Sequence, residues 1–296
     1  MSAGRTLNVL VTGGSGPSGI ATARALRGAG HRVFTVGSDA ARIEAAAAEA
    51  GDGVTPLACD LASLPDVRAL RESIAGLAGR VDGVIHLVGG WRGAKGITDQ
   101  SDDDWDFLER NAVTTLRNVT RVFFDDLAAS EAGRFAMVSS TAVSAPTAAG
   151  ASYAAAKAAA EAWTLAVADG FRRAHAAGNA TGTPGQDSSQ QDNAGQDSAA
   201  LRSAAVIFVV KALVDAQMRA KAPDRKFPGF TDVADLAAAA AGLFNAPAGD
   251  LNGQRLLLSR GNIPDSAARI HSPSVCGTGP GAPIQGPGLS PGGPTS

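Results

Sequence analysis

The chain contains one tyrosine, Tyr153, and five lysines. One of those lysines, Lys157, follows the tyrosine by four residues in "SYAAAKAAAEAW". On a helix, residues i and i+4 share a face, so phenol and ammonium can point into one site. A free tyrosine has a pKa of about 10 and is a poor acid or base near neutral pH. A nearby cation favours the phenolate and lowers that value. A tyrosine tuned this way can pass a proton to or from an alcohol or carbonyl oxygen. The competing reading is a solvated helix face, where lysine at this spacing is common.

A second stretch speaks to a ligand. Residues 12–19 read "TGGSGPSG", with four glycines directly after the apolar run Leu7-Asn8-Val9-Leu10-Val11. Gly14, Gly16 and Gly19 fit G-x-G-x-x-G, and Gly13, Gly16 and Gly19 fit T-G-x-x-G-x-x-G. Absent side chains let the backbone approach a pyrophosphate, and the following helix offers free N–H groups and its positive dipole end. Pro17 has no N–H to donate but suits a first helical turn. A plain glycine turn would carry the same residues, but the strand–helix context favours the phosphate loop.

These residues need elements to position them. Apolar runs predict strands near 7–11, 31–36, 54–58, 81–88, 134–139, 203–210 and 255–259. Alanine-rich patterns predict helices near 18–29, 39–50, 65–77, 102–128, 151–176 and 231–245. Continuous apolar strands alternating with helices imply a parallel sheet covered on both faces. The expected fold class is therefore α/β, a doubly wound parallel sheet (Rossmann fold) in a single domain over residues 1–261. Residues 178–200 hold almost nothing that enters a core and read as a flexible insertion. Residues 277–296 hold seven glycines and five prolines, so 262–296 reads as a disordered tail.

Composition excludes several classes of function. The net charge is −2, from 26 basic and 28 acidic residues, which gives no electrostatic case for nucleic acid or an anionic membrane. Two cysteines, Cys59 and Cys276, form no disulfide framework or CxxC pair, and four scattered histidines suggest no metal site. The polar N-terminus is not that of a signal peptide, and charges interrupt every apolar stretch before about 18 residues. The expected setting is the cytoplasm.

Taken together, the chain resembles the short-chain dehydrogenase/reductase family over about residues 6–260. The nucleotide loop resembles "TGGSGPSG", and the Y-x-x-x-K motif matches Tyr153 and Lys157. The family's serine matches Ser140 in "MVSSTAV" in preference to Ser139, its helix asparagine matches Asn111 in "LERNAVTTL", and its acid after the third strand matches Asp60 in "ACDL". The resemblance implies a carbonyl or alcohol substrate, hydride transfer with NADP or NAD, and a homodimer or homotetramer built on the helices near 102–128 and 151–176. Tyr153 would be the general acid/base. Lys157 would hold the nicotinamide ribose and lower the tyrosine's pKa. Ser140 would hold the substrate oxygen, and Asn111 a water in a proton relay. The cofactor would rest on Gly13, Ser15, Gly16, Pro17, Gly19, Ser38, Arg42, Asp60, Leu61, Val88 and Gly89.

The chain also departs from the family pattern. Proline stands at position 17, where the second loop glycine would fall, so Gly16 is expected to lie closest to the phosphates. His86-Leu87-Val88-Gly89 replaces N-N-A-G, and "FVVKALVD" replaces a segment with Pro-Gly. His86 reads as structural. Gly37 stands where an acid would bind a ribose 2′-OH, with Ser38 beside it and Arg42 one turn into the next helix; this leans to NADP. Asp39 argues for NAD but also suits an N-cap. Ser101 and the three aspartates after it read as a capped helix start. Trp91, Arg92 and Lys95 are candidates for a substrate pocket, and 211–230 for a lid. A non-catalytic NAD(P)-sensing regulator on the same fold is the alternative, and an epimerase or dehydratase is disfavoured because no substrate domain follows residue 200.

Overall fold

A computed structural model describes residues 5–180 and 201–259. The Gly/Pro-rich tail, Cys276, the domain end at Gly261 and residues 181–200 of the insertion lie outside the described residues. Seven of the strands form one sheet in which every pair is parallel. They are β1 (Asn8–Thr12), β2 (Arg32–Gly37), β3 (Val54–Ala58), β4 (Gly83–His86), β5 (Arg134–Ser140), β6 (Ala204–Val210) and β9 (Arg255–Leu257). Their spatial order is β3-β2-β1-β4-β5-β6-β9. The order reverses between β1 and β4, and that is where ligands bind in an open α/β sheet.

Side chains in a strand alternate between its faces. Leu10 accordingly joins Phe34, Phe123 and Phe135 in one core cluster. Its neighbours Val9 and Val11 join Phe208 and Leu236 in another. Both faces are apolar, so both must be covered. Helices α1 (Pro17–Gly28), α2 (Ala40–Ala50), α3 (Leu64–Ala78), α5 (Thr115–Ala128) and α6 (Ala151–Ala180) are the crossovers, and α8 (Val233–Gly242) packs on α1. The buried Arg134 donates to the carbonyls of Leu243 and Ala246, tying the start of β5 to the segment after α8.

Three boundaries differ from expectation. The fourth strand stops at His86, leaving 87–100 without regular structure. Residues 178–180 belong to α6 and not to the insertion. The single helix expected over 102–128 is split into α4 (Asp102–Glu109), a π turn (Arg110–Thr114) and α5. Every residue there is compatible with a helix, so the widened turn leaves no mark on the hydrophobic pattern. Ser101 does cap α4, accepting the N–H of Asp104. Among the described residues no group of His, Cys, Asp or Glu is arranged to hold a metal ion.

Candidate active site

The loop from Gly13 to Gly19 joins β1 to α1, and its glycines do different work. Gly13 has φ +76°, and a Cβ there would lie 2.9 Å from the backbone carbon of Leu87. A Cβ on Gly19 would lie 2.5 Å from the Gly13 oxygen, so the helix can seat against the loop only without one. At Gly16 the nearest atom to such a Cβ is 3.9 Å away. Packing therefore does not demand glycine at 16; what its missing side chain leaves is open space. Gly16 is also the N-cap of α1 and gives it no side-chain cap. The first-turn N–H groups of a helix have no intrahelical partners, and Pro17, at the first position, has none to leave unpaired. An open cradle beside free donors suits a pyrophosphate.

A cavity of about 730 Å³ runs from Ser18, in the first turn of α1, to Ser140, Tyr153 and Lys157. Ser140 ends β5 and caps the short turn after it, its hydroxyl accepting the N–H of Ala142 at 3.1 Å. Tyr153 and Lys157 stand one turn apart near the start of α6. Tyr153 packs against Leu108, Ala112 and Ala156, so α4 and the π turn set the place of its ring. Lys157 is buried, and its ammonium donates to the carbonyl of Val138 at 2.8 Å. A Cβ on Gly89 would lie 3.3 Å from the lysine nitrogen, so this glycine leaves room for it.

The electrostatics correct one expectation. Burial pushes the Tyr153 phenol above its ordinary pKa, and Ser140, which can donate to the phenolate, pulls the other way. The Lys157 ammonium is directed to the carbonyl of Val138 on β5. Burial brings Lys157 itself down to about 8, against the opposing charge of Glu161. His86 is held neutral, down to about 3, by burial first and by Lys157 second. Its ring bridges the hydroxyls of Thr12 (2.8 Å) and Thr115 (3.3 Å), in keeping with a structural histidine.

The other candidates are spread around this centre. Asn111 lies in the π turn and does not line the cavity. Its side-chain amide donates to Phe107 O at 2.8 Å, and its backbone carbonyl accepts from the Thr115 hydroxyl at 2.7 Å. Val88 and Gly89 line the cavity. Asp60 is exposed; its carboxylate meets Arg110 at 2.7 Å and the N–H of Ala62 at 3.0 Å. Leu61 is buried, with its carbonyl accepting from Asn118. At the end of β2, Ser38 and Arg42 are exposed, and Asp39 caps α2 by accepting the Arg42 N–H at 2.8 Å. A Cβ on Gly37 would collide with the Ser15 hydroxyl.

Of the three pocket candidates in 89–100, only Trp91 lines the cavity. Arg92 turns away, 3.7 Å from Asp104 and over the ring of Phe107. The 211–230 segment is anchored by β7 (Leu213–Val214) pairing with β8 (Thr231–Asp232), and α7 (Ala216–Lys221) lies between them. Lys211, at the end of β6, lines the cavity and was not singled out as a site residue from sequence. Only its place after an apolar strand marked it.

Comparison with known proteins gives the family and the fold. A family model described as "short chain dehydrogenase" matches residues 7–218. Two curated relatives, uncharacterised oxidoreductases from two strains of Mycobacterium tuberculosis, are each 32% identical over 138 residues, or 45% of this chain and 50% of theirs. The chain thus spans about half the length of the curated relatives it matches. Among solved structures, a 3-ketoacyl-(acyl-carrier-protein) reductase from Brucella melitensis complexed with NADH superimposes with a TM-score of 0.67 at 22% identity, over 86% of this chain and 97% of that one. An NADPH-bound short chain oxidoreductase from Pseudomonas aeruginosa PAO1, containing an atypical catalytic center, superimposes with a TM-score of 0.69 at 18% identity, over 89% and 100%. At these identities the likeness is one of fold.

Proposed function

The chain belongs to the short-chain dehydrogenase family, and from that premise we propose that it is an NAD(P)(H)-dependent oxidoreductase interconverting a carbonyl and an alcohol. The observation that carries the proposal is the single cavity joining the open start of α1 to Ser140, Tyr153 and Lys157. The residues fit a dinucleotide. The Gly13–Gly19 loop and the first turn of α1 would hold its pyrophosphate, and Lys157, beside Gly89, would hold the nicotinamide ribose. When bound, the cofactor supplies or takes up the hydride.

The chain's own groups handle the proton. Ser140 hydrogen-bonds the substrate oxygen. Tyr153 donates its proton to that oxygen in reduction and withdraws it in oxidation. Its raised pKa keeps the phenol protonated at neutral pH, which favours the donor role and hence reduction. Asn111, in the π turn, would hold a water through its backbone carbonyl, which also accepts the Thr115 hydroxyl. Asp60 and Leu61 would flank the adenine.

NADP is the preferred cofactor in this reading. Ser15 covers the place of a ribose-binding acid at Gly37, and the Asp39 carboxylate is engaged as a cap. Ser38 and the exposed Arg42 would then be the groups to hold a 2′-phosphate. The reading includes a homodimer or homotetramer through α5 and α6, whose outer faces share a groove lined by Phe124, Trp163 and Val167. Among the described residues no helix is long and apolar enough to cross a membrane. Tyr153→Phe tests the proposal. Turnover across a panel of carbonyls should vanish while NADPH still binds by fluorescence; undiminished turnover would refute it.

A further inference from the structure

Glu161 is buried one helical turn beyond Lys157 and has no part in the proton chemistry above. A buried carboxylate needs compensating partners. It accepts the hydroxyl of Ser139 at 2.5 Å. It also pairs with Arg255 of β9, whose Nε lies 2.9 Å from Oε2 and whose Nη2 donates to Oε1 at 3.1 Å. Arg255 also extends to the Ser144 hydroxyl at 3.5 Å, in the turn after Ser140.

These bonds make a pattern with Lys157. The lysine donates to the carbonyl of Val138, and Glu161 accepts from the side chain of the next residue, Ser139. Two consecutive residues of β5 are thus pinned to two positions of α6 one turn apart. The next strand residue is Ser140, and one turn back along the helix is Tyr153. We propose that Glu161 is a positioning residue: held by Arg255 and bonded to Ser139, it clamps β5 to α6 and so fixes where Ser140 stands against Tyr153. This rests on the oxidoreductase reading of the same site.

The charge argument follows from what faces the lysine. The titratable groups around it are Tyr153 and Glu161 on its own helix and His86 from β4, with Arg255 of β9 behind Glu161. Tyr153 and His86 are neutral at pH 7, and Glu161 supplies the carboxylate that pairs with Arg255. Burial lowers the lysine's pKa to about 8 and Glu161 opposes that shift. Removing the carboxylate charge must move the lysine's titration to lower pH.

Glu161→Gln keeps a side-chain oxygen for Ser139 and removes the charge. Carbonyl reduction should fall roughly 10- to 100-fold in kcat, the scale of a small misplacement of reacting groups, with little change in KM. The alkaline limb of the pH profile should shift to lower pH than in the parent, because Glu161 raises the lysine's pKa. Glu161→Asp should restore the limb. A Glu161→Gln enzyme that keeps the parental kcat and limb and loses only thermal stability would overturn the proposal. Ser139→Ala covers the case in which the glutamine variant does not fold: it should lose kcat with the limb in place, and parental kcat would refute the clamp. A parent that neither turns over carbonyls nor binds NADPH would instead bring down the oxidoreductase reading.

Discussion

The two ends of the cavity are built in opposite ways. At the loop end the work is done by backbone and by missing side chains: Gly13, Gly16 and Gly19 bring the chain close and leave α1 uncapped. At the other end it is done by side chains held from water, with Ser140 and Lys157 almost wholly buried. A backbone cradle tolerates little substitution, because a Cβ meets either the fold or the ligand. A buried polar cluster tolerates little for another reason. Each group depends on a neighbour for its hydrogen bond or its charge state, so one loss disturbs several.

This contrast can be broken most sharply at Gly16. Gly16→Val should abolish NADPH binding with little change in the thermal midpoint, since only open space surrounds the new side chain. Gly19→Ala should do the reverse in kind, lowering stability by about 2 kcal/mol through overpacking against Gly13 and Gly14. If thermal melts showed Gly16→Val to be the less stable of the two, the division of labour within the loop would be wrong. At the other end, Ser140→Ala should lower kcat roughly 100- to 1,000-fold, the range for losing one donor to the reacting oxygen. NADPH affinity, measured by fluorescence, should stay at the parental value. Loss of affinity there would mean that the two ends are not separable.

How much of this could be read from sequence also differs between the ends. The loop was legible because its signal is local: four glycines directly after an apolar strand. Tyr153 and Lys157 were legible because their spacing is a helical turn. What escaped notice depends on distant partners. Arg255 meets Glu161 across 94 residues, and no local pattern announces it. Lys157 bonds to Val138 on the facing strand, so its effect on the tyrosine could not be judged from helical spacing alone. Arg92 is drawn out of the pocket by Asp104 and Phe107, which belong to a helix whose start read from sequence only as a capped N-terminus. The seven strands of the main sheet were legible because they are continuously apolar, though the fourth and last are shorter than expected and the short β7 and β8 were not foreseen; which core each side chain enters depends on the sheet order.

His86 joins the two ends, bridging Thr12 of β1 and Thr115 of α5. Its pKa falls from 6.5 to about 3 on folding, so between those values the unfolded chain binds the extra proton. The stability it contributes is present above about pH 6.5 and lost as pH falls toward 3, with a limiting slope of about 1.4 kcal/mol per pH unit. Urea unfolding of the parent and of His86→Leu across that window should show a shallower acid limb in the variant. Equal slopes would mean that the imidazole titrates alike in both states.

The smallest effect is expected at the adenosine end, where the site meets solvent. Arg42 is exposed, and a single surface cation facing a phosphate contributes little more than about 1.4 kcal/mol, or tenfold in affinity. Arg42→Ala should therefore weaken NADPH about tenfold and leave NADH unchanged, which narrows the preference between them without abolishing binding. The effect should shrink with added salt, because the charge is not shielded from solvent. Equal losses for both cofactors would show that Arg42 supports the loop in general. Tighter binding of NADH by the parent would remove the preference for NADP altogether. The buried end should behave differently, with the Ser140→Ala defect in kcat insensitive to salt.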